Sequence, residues 1–274
     1  MTDTPVCKGL RIPLPRFMQC QAQLAFATPM VVLHTCLSSP SVMLLKALSS
    51  PRAEEAVLKA WMRGVLLFSG VDLTASGLEN LDPAGRYVFV SNHQSLFDVP
   101  AVNTALPVPV RFVAKRSLLK VPIFGAGMRS VGTVCIDRED KSDTVRRLKQ
   151  AQASVGQKAS IHFFAEGTRS QDGRLRAFKK GAAAMALSLQ VPLVPLAVFG
   201  TRKIYPKGTM RLQPGTAHVS VGTPIAPGPQ DTPEERVRLT ALARAAVRDL
   251  LAARGELVGD DEAEGVDEEV GRGS

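Results

Sequence analysis

From residue 87 to residue 253, short apolar runs alternate with longer stretches whose apolar residues recur at three- and four-residue steps. This alternation constrains the fold more than any other feature of the chain. An apolar strand has to be buried in a sheet, and an amphipathic helix has to cover one face of that sheet. Tyr87–Ser91, Val110–Ala114, Gly132–Ile136, Ser160–Ala165, Leu193–Phe199 and Ala217–Val221 read as strands. Leu96–Leu106, Lys141–Val155, Leu175–Leu189 and Pro233–Ala253 read as helices. The last carries a start signal, with Thr232 at the N-cap, Pro233 at the first helical position and Glu235 three residues after the cap. The expected fold class is α/β, with a central mixed sheet flanked by helices. No internal repeat is visible.

The first 70 residues follow a different pattern. Phe17–Leu45 is a run of 29 residues without a formal charge. It reads as a poor transmembrane helix, because Gln19, Gln21, Gln23 and His34 lie inside it and Pro29 and Pro40 are expected to interrupt it. It also lacks the clean apolar core of a signal peptide. The expectation is an interfacial or half-inserted helical segment, with a loosely packed helical cap on a soluble domain as the alternative. Residues 53–68 form a second expected helix, with Val57, Ala60, Trp61, Gly64, Val65 and Phe68 on one face. Trp61 suits a membrane interface and a protein core equally. The chain therefore divides into a helical, membrane-docking segment over 1–70, an α/β domain over 71–254 and a tail over 255–274.

The chain has 34 Lys and Arg against 25 Asp and Glu, a formal charge of +9. Residues 91–230 hold 20 cations and 7 anions, whereas residues 231–274 hold 6 and 12. The acidic end, from Glu256 to Glu269, has no apolar stripe and reads as a disordered tail. The basic middle calls for an anionic partner: a phosphorylated substrate, an anionic membrane or a nucleic acid. Nucleic acid is disfavoured, because aromatic residues make up only 5% of the chain and no zinc finger or RNA-recognition motif is visible. Cys7, Cys20, Cys36 and Cys135 show no Cys-x-x-Cys or Cys/His ligand spacing, and the histidines show no His-Glu-x-x-His, so no metal site is expected.

Four blocks carry possible chemistry. The first, Ser91-Asn92-His93-Gln94-Ser95-Leu96-Phe97-Asp98, leaves a strand and enters a helix, where α/β sheets line their ligand crevices. His93 and Asp98 are five residues apart, too far for contact on a regular helix but within reach across a turn. A carboxylate on one imidazole nitrogen fixes the tautomer and makes the other nitrogen a better base. Taken alone, a helix-capping His with an unrelated Asp is the commoner explanation. The second block, Phe163-Phe164-Ala165-Glu166-Gly167-Thr168-Arg169-Ser170, ends a strand in a turn. Its Gly167 allows close backbone approach to a ligand, and Arg169 offers a fork that matches phosphate oxygens. A solvated basic face is the plain alternative there. The third, Val131–Arg138, ends in Asp137-Arg138, and the fourth, Val191-Pro192-Leu193-Val194-Pro195, is a proline-punctuated strand. Neither suggests a reaction by itself.

In this order and at these separations, the four blocks resemble those of the 1-acylglycerol-3-phosphate acyltransferase (lysophosphatidate acyltransferase) family of glycerolipid acyltransferases. Its pattern is Asn-His-x4-Asp, a block ending near Asp-Arg, Phe-x-Glu-Gly-Thr-Arg-Ser and Val-Pro-x-x-Pro. The resemblance runs from about Val65 to Pro224 and implies a sheet-and-helix catalytic domain with N-terminal membrane-docking helices. It implies that His93 is the general base and Asp98 its orienting partner. Glu166, Gly167, Thr168 and Arg169 would hold the acceptor, joined by Lys115 and Arg138. The implied reaction is direct transfer from acyl-coenzyme A or an acyl-acyl carrier protein to the hydroxyl of a lysophospholipid, at the cytoplasmic face of a membrane and without a cofactor. The acyl chain would lie among Leu118–Met128 and the N-terminal helices. Another lysolipid acceptor, such as a lyso-ornithine lipid, and a non-catalytic basic module binding membrane or nucleic acid are the competing readings.

Overall fold

The computed structural model describes residues 2–13, 16–48, 50–120, 124–130, 132–136, 147, 150, 159–209 and 211–255. In chain order the elements are β1 Thr4–Cys7, α1 Arg16–Ala47, α2 Pro51–Phe68, β2 Val71–Ser76, β3 Val88–Ser91, α3 Asp98–Ala105, β4 Val110–Lys115, α4 Phe124–Ser130, β5 Val134–Ile136, β6 Ser160–Phe164, α5 Gly181–Leu189, β7 Leu193–Phe199, α6 Thr201–Ile204, β8 Gly215–Val221 and α7 Pro233–Ala252. The strands form one mixed sheet in the order β1-β2-β8-β7-β3-β6-β4-β5. β7, β3, β6, β4 and β5 run parallel, β8 is antiparallel to β7, and β1 is antiparallel to β2.

Side-chain alternation assigns the two faces of the sheet. On one side Phe89, Val194, Leu196, Val198 and Val219 pack with Leu66 of α2 and Ala101, Val102 and Ala105 of α3. On the other, Val88, Val90, Ile161 and Leu193 pack with Ala182, Ala186 and Leu187 of α5 and Leu239 and Ala243 of α7. The central strands are covered on both faces, and all four residues of β3 and all seven of β7 are buried, as parallel strands require. Helix α7 begins as its sequence predicts: the Glu235 amide donates to Thr232 Oγ1 at 3.2 Å, behind Pro233.

The N-terminal segment departs from expectation. Pro29 and Pro40 do not interrupt it, and α1 is one helix of 32 residues. Hydroxyls beside the prolines bond backward into the helix, Thr28 Oγ1 to Leu24 O at 2.7 Å and Ser41 Oγ to Leu37 O at 2.8 Å. Packing against α2 holds the rest. Over Gln21–Ala47 this helix is long and apolar enough to cross a membrane, by length and composition. The segment is also not purely helical, since β1 pairs with β2 at the edge of the sheet. Gln23 is fully buried rather than solvated: its Nε2 donates to Leu10 O at 3.0 Å and Phe68 O at 2.9 Å, and its Oε1 accepts from the Ile12 amide at 3.3 Å.

Two further differences concern helix starts. The helix expected from Leu96 begins at Asp98, because Leu96 and Phe97 form the turn that brings Asp98 back toward His93. The helix expected from Leu175 begins at Gly181. Residues 174–179 are irregular there, with the Lys179 amide bonded to Ala165 O at 2.9 Å. The expected helix Lys141–Val155, apart from Arg147 and Gln150, and the acidic tail lie outside the described residues.

Candidate active site

Because β3, β6, β7 and β4 are parallel, their carboxyl ends share one edge of the sheet, and four loops meet there. β3 delivers Asn92 and His93, β6 delivers Glu166 to Arg169, β7 leads into Thr201, and β4 ends at Lys115. Asn92 serves the frame. Its buried amide bonds both backbone groups of Val198 on β7, each at 2.9 Å, so the chain leaves β3 in a fixed direction.

His93 and Asp98 meet as a dyad, with Nδ1 and Oδ2 2.7 Å apart. Asp98 is completely buried, and its Oδ2 also accepts the amides of Gln94 at 2.7 Å and Ser95 at 3.0 Å. Its other oxygen, Oδ1, accepts Thr201 Oγ1 at 2.5 Å. A buried carboxylate with this many donors is anchored in place. The Asp98 contact places a proton on His93 Nδ1 and leaves Nε2 as the ring nitrogen that Asp98 does not engage. Phe164 lies flat against the imidazole, with ring centroids 3.8 Å apart and planes at 16°. Behind Phe164 sits His162, wholly buried, bonded through Nε2 to Ser91 Oγ at 3.1 Å, its pKa pushed down by burial and by nearby His93 to about 3.

The Glu166–Ser170 turn is fastened to His93 from both ends. The His93 amide donates to Glu166 Oε1 at 2.9 Å, and the Ser170 amide donates to His93 O at 2.7 Å. Gly167 has φ +73°, a conformation that favours glycine, and a β-carbon there would come 3.0 Å from Lys179 Cε. Burial pushes the Glu166 carboxyl up to about 7, reinforced by Asp98 and opposed by the His93 and Arg176 amides. Its Oε2 is buried without a hydrogen-bonded partner among the described residues. The Arg169 side chain is half-buried and makes no hydrogen bond among the described residues. Lys115 is exposed at the same edge of the sheet, whereas Arg138 lies outside the described residues.

Beside the dyad lies a cavity of about 390 Å³. Leu96, Phe97 and Phe112 form its near end, Trp61, Met62 and Val65 of α2 and Val31 of α1 form its wall, and Leu118 and Met128 contribute as well. Thr201, Tyr205 and Lys207 were not anticipated from the sequence. They follow β7 on a strap that crosses the site, and Ser95 Oγ donates to Tyr205 O at 2.8 Å. The signal available for them was position, since they follow the carboxyl end of a parallel strand.

A protein-family model described as Acyltransferase matches residues 72–199, the stretch that holds the dyad and the Glu166 turn. A chloroplastic 1-acyl-sn-glycerol-3-phosphate acyltransferase of Brassica napus is 37% identical over 62% of this chain and 49% of its own length. The alpha form of that enzyme from Homo sapiens is 31% identical over 68% of each chain. The chain thus spans about half the length of the plant relatives and two thirds of the human one. The crystal structure of a 1-acyl-sn-glycerophosphate acyltransferase from Thermotoga maritima superposes with a TM-score of 0.72 at 24% identity, over 87% of this chain and 98% of that one, which establishes the shared fold.

Proposed function

This chain belongs to the 1-acyl-sn-glycerol-3-phosphate acyltransferase family, and from that premise we propose that it transfers an acyl group from a thioester to the free hydroxyl of 1-acylglycerol 3-phosphate, giving phosphatidate. The thioester is that of acyl-coenzyme A or an acyl-acyl carrier protein. The observation that carries the reading is the His93–Asp98 pair, whose chain neighbours Leu96, Phe97 and Val99 line an apolar cavity.

His93 Nε2 takes the proton of the acceptor hydroxyl as that oxygen bonds to the thioester carbonyl carbon. The tetrahedral intermediate collapses with cleavage of the C–S bond, and the proton on Nε2 passes to the departing thiolate. A thiol with a pKa near ~8.5 is a good leaving group, so no acyl-enzyme is required. The sequence has no Gly-x-Ser-x-Gly elbow, and Ser95, next to the dyad, has its hydroxyl proton committed to Tyr205 O. Asp98 holds the tautomer and stabilises the imidazolium that forms.

Arg169 and Lys115 bind the acceptor's phosphate, and Arg138 belongs to the same set. Glu166 in its protonated form has an unpartnered Oε2 to offer a phosphate oxygen. The acyl chain occupies the cavity, where each buried methylene contributes roughly 0.8 kcal/mol. The exposed apolar residues Leu33, Leu37 and Leu44 of α1, and Leu48 just past its end, sit in the lipid interface on the cytoplasmic side, which brings a lipid acceptor and a soluble donor to one site.

A thiol-release assay tests this reading. Acyl-coenzyme A and lysophosphatidate together should release thiol and form phosphatidate, and each alone should not. Lack of release with either donor class, or full activity in a folded His93→Ala variant, would sink it.

A further inference from the structure

Resting on the reading above, we infer that Lys207, with Lys179 beside it, belongs to the site that holds the acceptor's phosphomonoester. No block in the sequence marks either residue. Lys207 lies on the strap after α6, in Tyr205-Pro206-Lys207-Gly208. Its Nζ donates to Arg169 O at 2.8 Å and reaches Thr168 Oγ1 at 3.5 Å. The turn it grips is the one bonded to His93 at both ends, through Glu166 Oε1 and the Ser170 amide. The strap is itself fixed to the dyad, by Thr201 Oγ1 on Asp98 and by Ser95 Oγ on Tyr205 O. The ammonium of Lys207 is therefore held in register with the base.

Lys179 approaches the turn at Gly167, where its terminal methylene would be the nearest atom to an added β-carbon. Three cations, Arg169, Lys179 and Lys207, meet at one turn. Among the described residues none of them forms an ion pair with a carboxylate. The nearby acids do not serve as counter-ions. Glu166 gives its Oε1 to the His93 amide, and Asp172 is engaged by Ser170 Oγ and the Arg174 amide. A tie that only braced the turn would need a hydrogen-bond donor and no charge. An ammonium has three donors, and a carbonyl and a hydroxyl occupy two of them here. A group carrying close to two negative charges and several acceptor oxygens is what such a cluster is suited to hold, and a lysolipid phosphomonoester is that group.

The experiment measures binding, which separates this assignment from the acyl-transfer reading. Calorimetry on the full chain compares a soluble short-chain 1-acylglycerol 3-phosphate with the matching phosphate-free monoacylglycerol, for the wild type, Lys207→Met and Lys207→Arg. The preference for the phosphate-bearing probe should fall by about tenfold in Lys207→Met and largely return in Lys207→Arg. If Lys207→Met weakens both probes equally, the residue is only a brace and the assignment is overturned. An unchanged preference overturns it too. A wild type that prefers the phosphate probe but releases no thiol refutes the acyl-transfer reading, while the variants still decide the role of Lys207. A wild type without that preference refutes both.

Discussion

Asp98 accepts four hydrogen bonds while fully buried, one of them from the residue it orients. Replacing it with Asn keeps the shape but supplies an amide where His93 Nδ1 needs an acceptor. Asp98→Asn should lower turnover by on the order of a thousandfold in the thiol-release assay while retaining acceptor binding. Glu166 gives a pH signature. Its folded-state pKa, about 7, is raised from 4.5, so folding favours the protonated form. The associated stability, on the order of 3 kcal/mol, is fully present below the ordinary pKa and is lost as pH rises through the folded one. Urea midpoints of the wild type should therefore fall between about pH 5 and pH 8, and those of Glu166→Gln should change less. On the proposed acceptor site, KM for lysophosphatidate should rise over the upper part of the same range, as the buried Glu166 donor gives way to a carboxylate. Both residues were singled out through the resemblance of their blocks to the family's pattern, because residue type and spacing alone left each with a plain alternative. Thr201 and Lys207 were not, because they reach Asp98 and Arg169 across 103 and 38 positions of chain.

At the scale of elements, α1 presents outward Leu33, Leu37 and Leu44, with Leu48 just past its end, each more than half exposed, while its other side packs on α2. Vesicle co-sedimentation of a Leu33→Gln, Leu37→Gln, Leu44→Gln triple variant should show membrane partition reduced at least about a hundredfold, since each leucine transferred contributes roughly 1.5–3 kcal/mol. The same helix lines the apolar cavity through Val31. Val31→Phe should shift preference toward shorter acyl chains in competition between thioesters of different length, because the ring takes volume from the cavity wall. The prolines misled at this scale. Proline removes one hydrogen bond and adds a local clash, but packing against α2 sustained the helix through both sites. Strand β2 was not among the expected strands, although Val71, Leu73 and Ala75 alternate with Asp72 and Thr74, and the four residues of β1 carry no such pattern.

The whole molecule does not separate cleanly at residue 70. β1 extends the sheet, Gln23 ties the segment before α1 to the end of α2, and Val42 packs with Leu58 and Trp61. Deleting residues 1–50 should therefore lower the thermal midpoint and shift the emission of Trp61, the sole tryptophan, toward the red as its cover is removed. A peripheral anchor that could be removed without loss would leave both unchanged. The sequence by itself determined the α/β class, the four-block pattern whose resemblance pointed to His93 and Asp98, and the basic character of the middle of the chain. Apolar period, turn chemistry and charge are local properties and survive without coordinates. The tertiary structure alone decided which loops share the sheet edge, how Asp98 is held, where the apolar cavity lies and how the N-terminal segment joins the domain. Each of those depends on strand order and on contacts between residues far apart in the chain, and no local pattern encodes them.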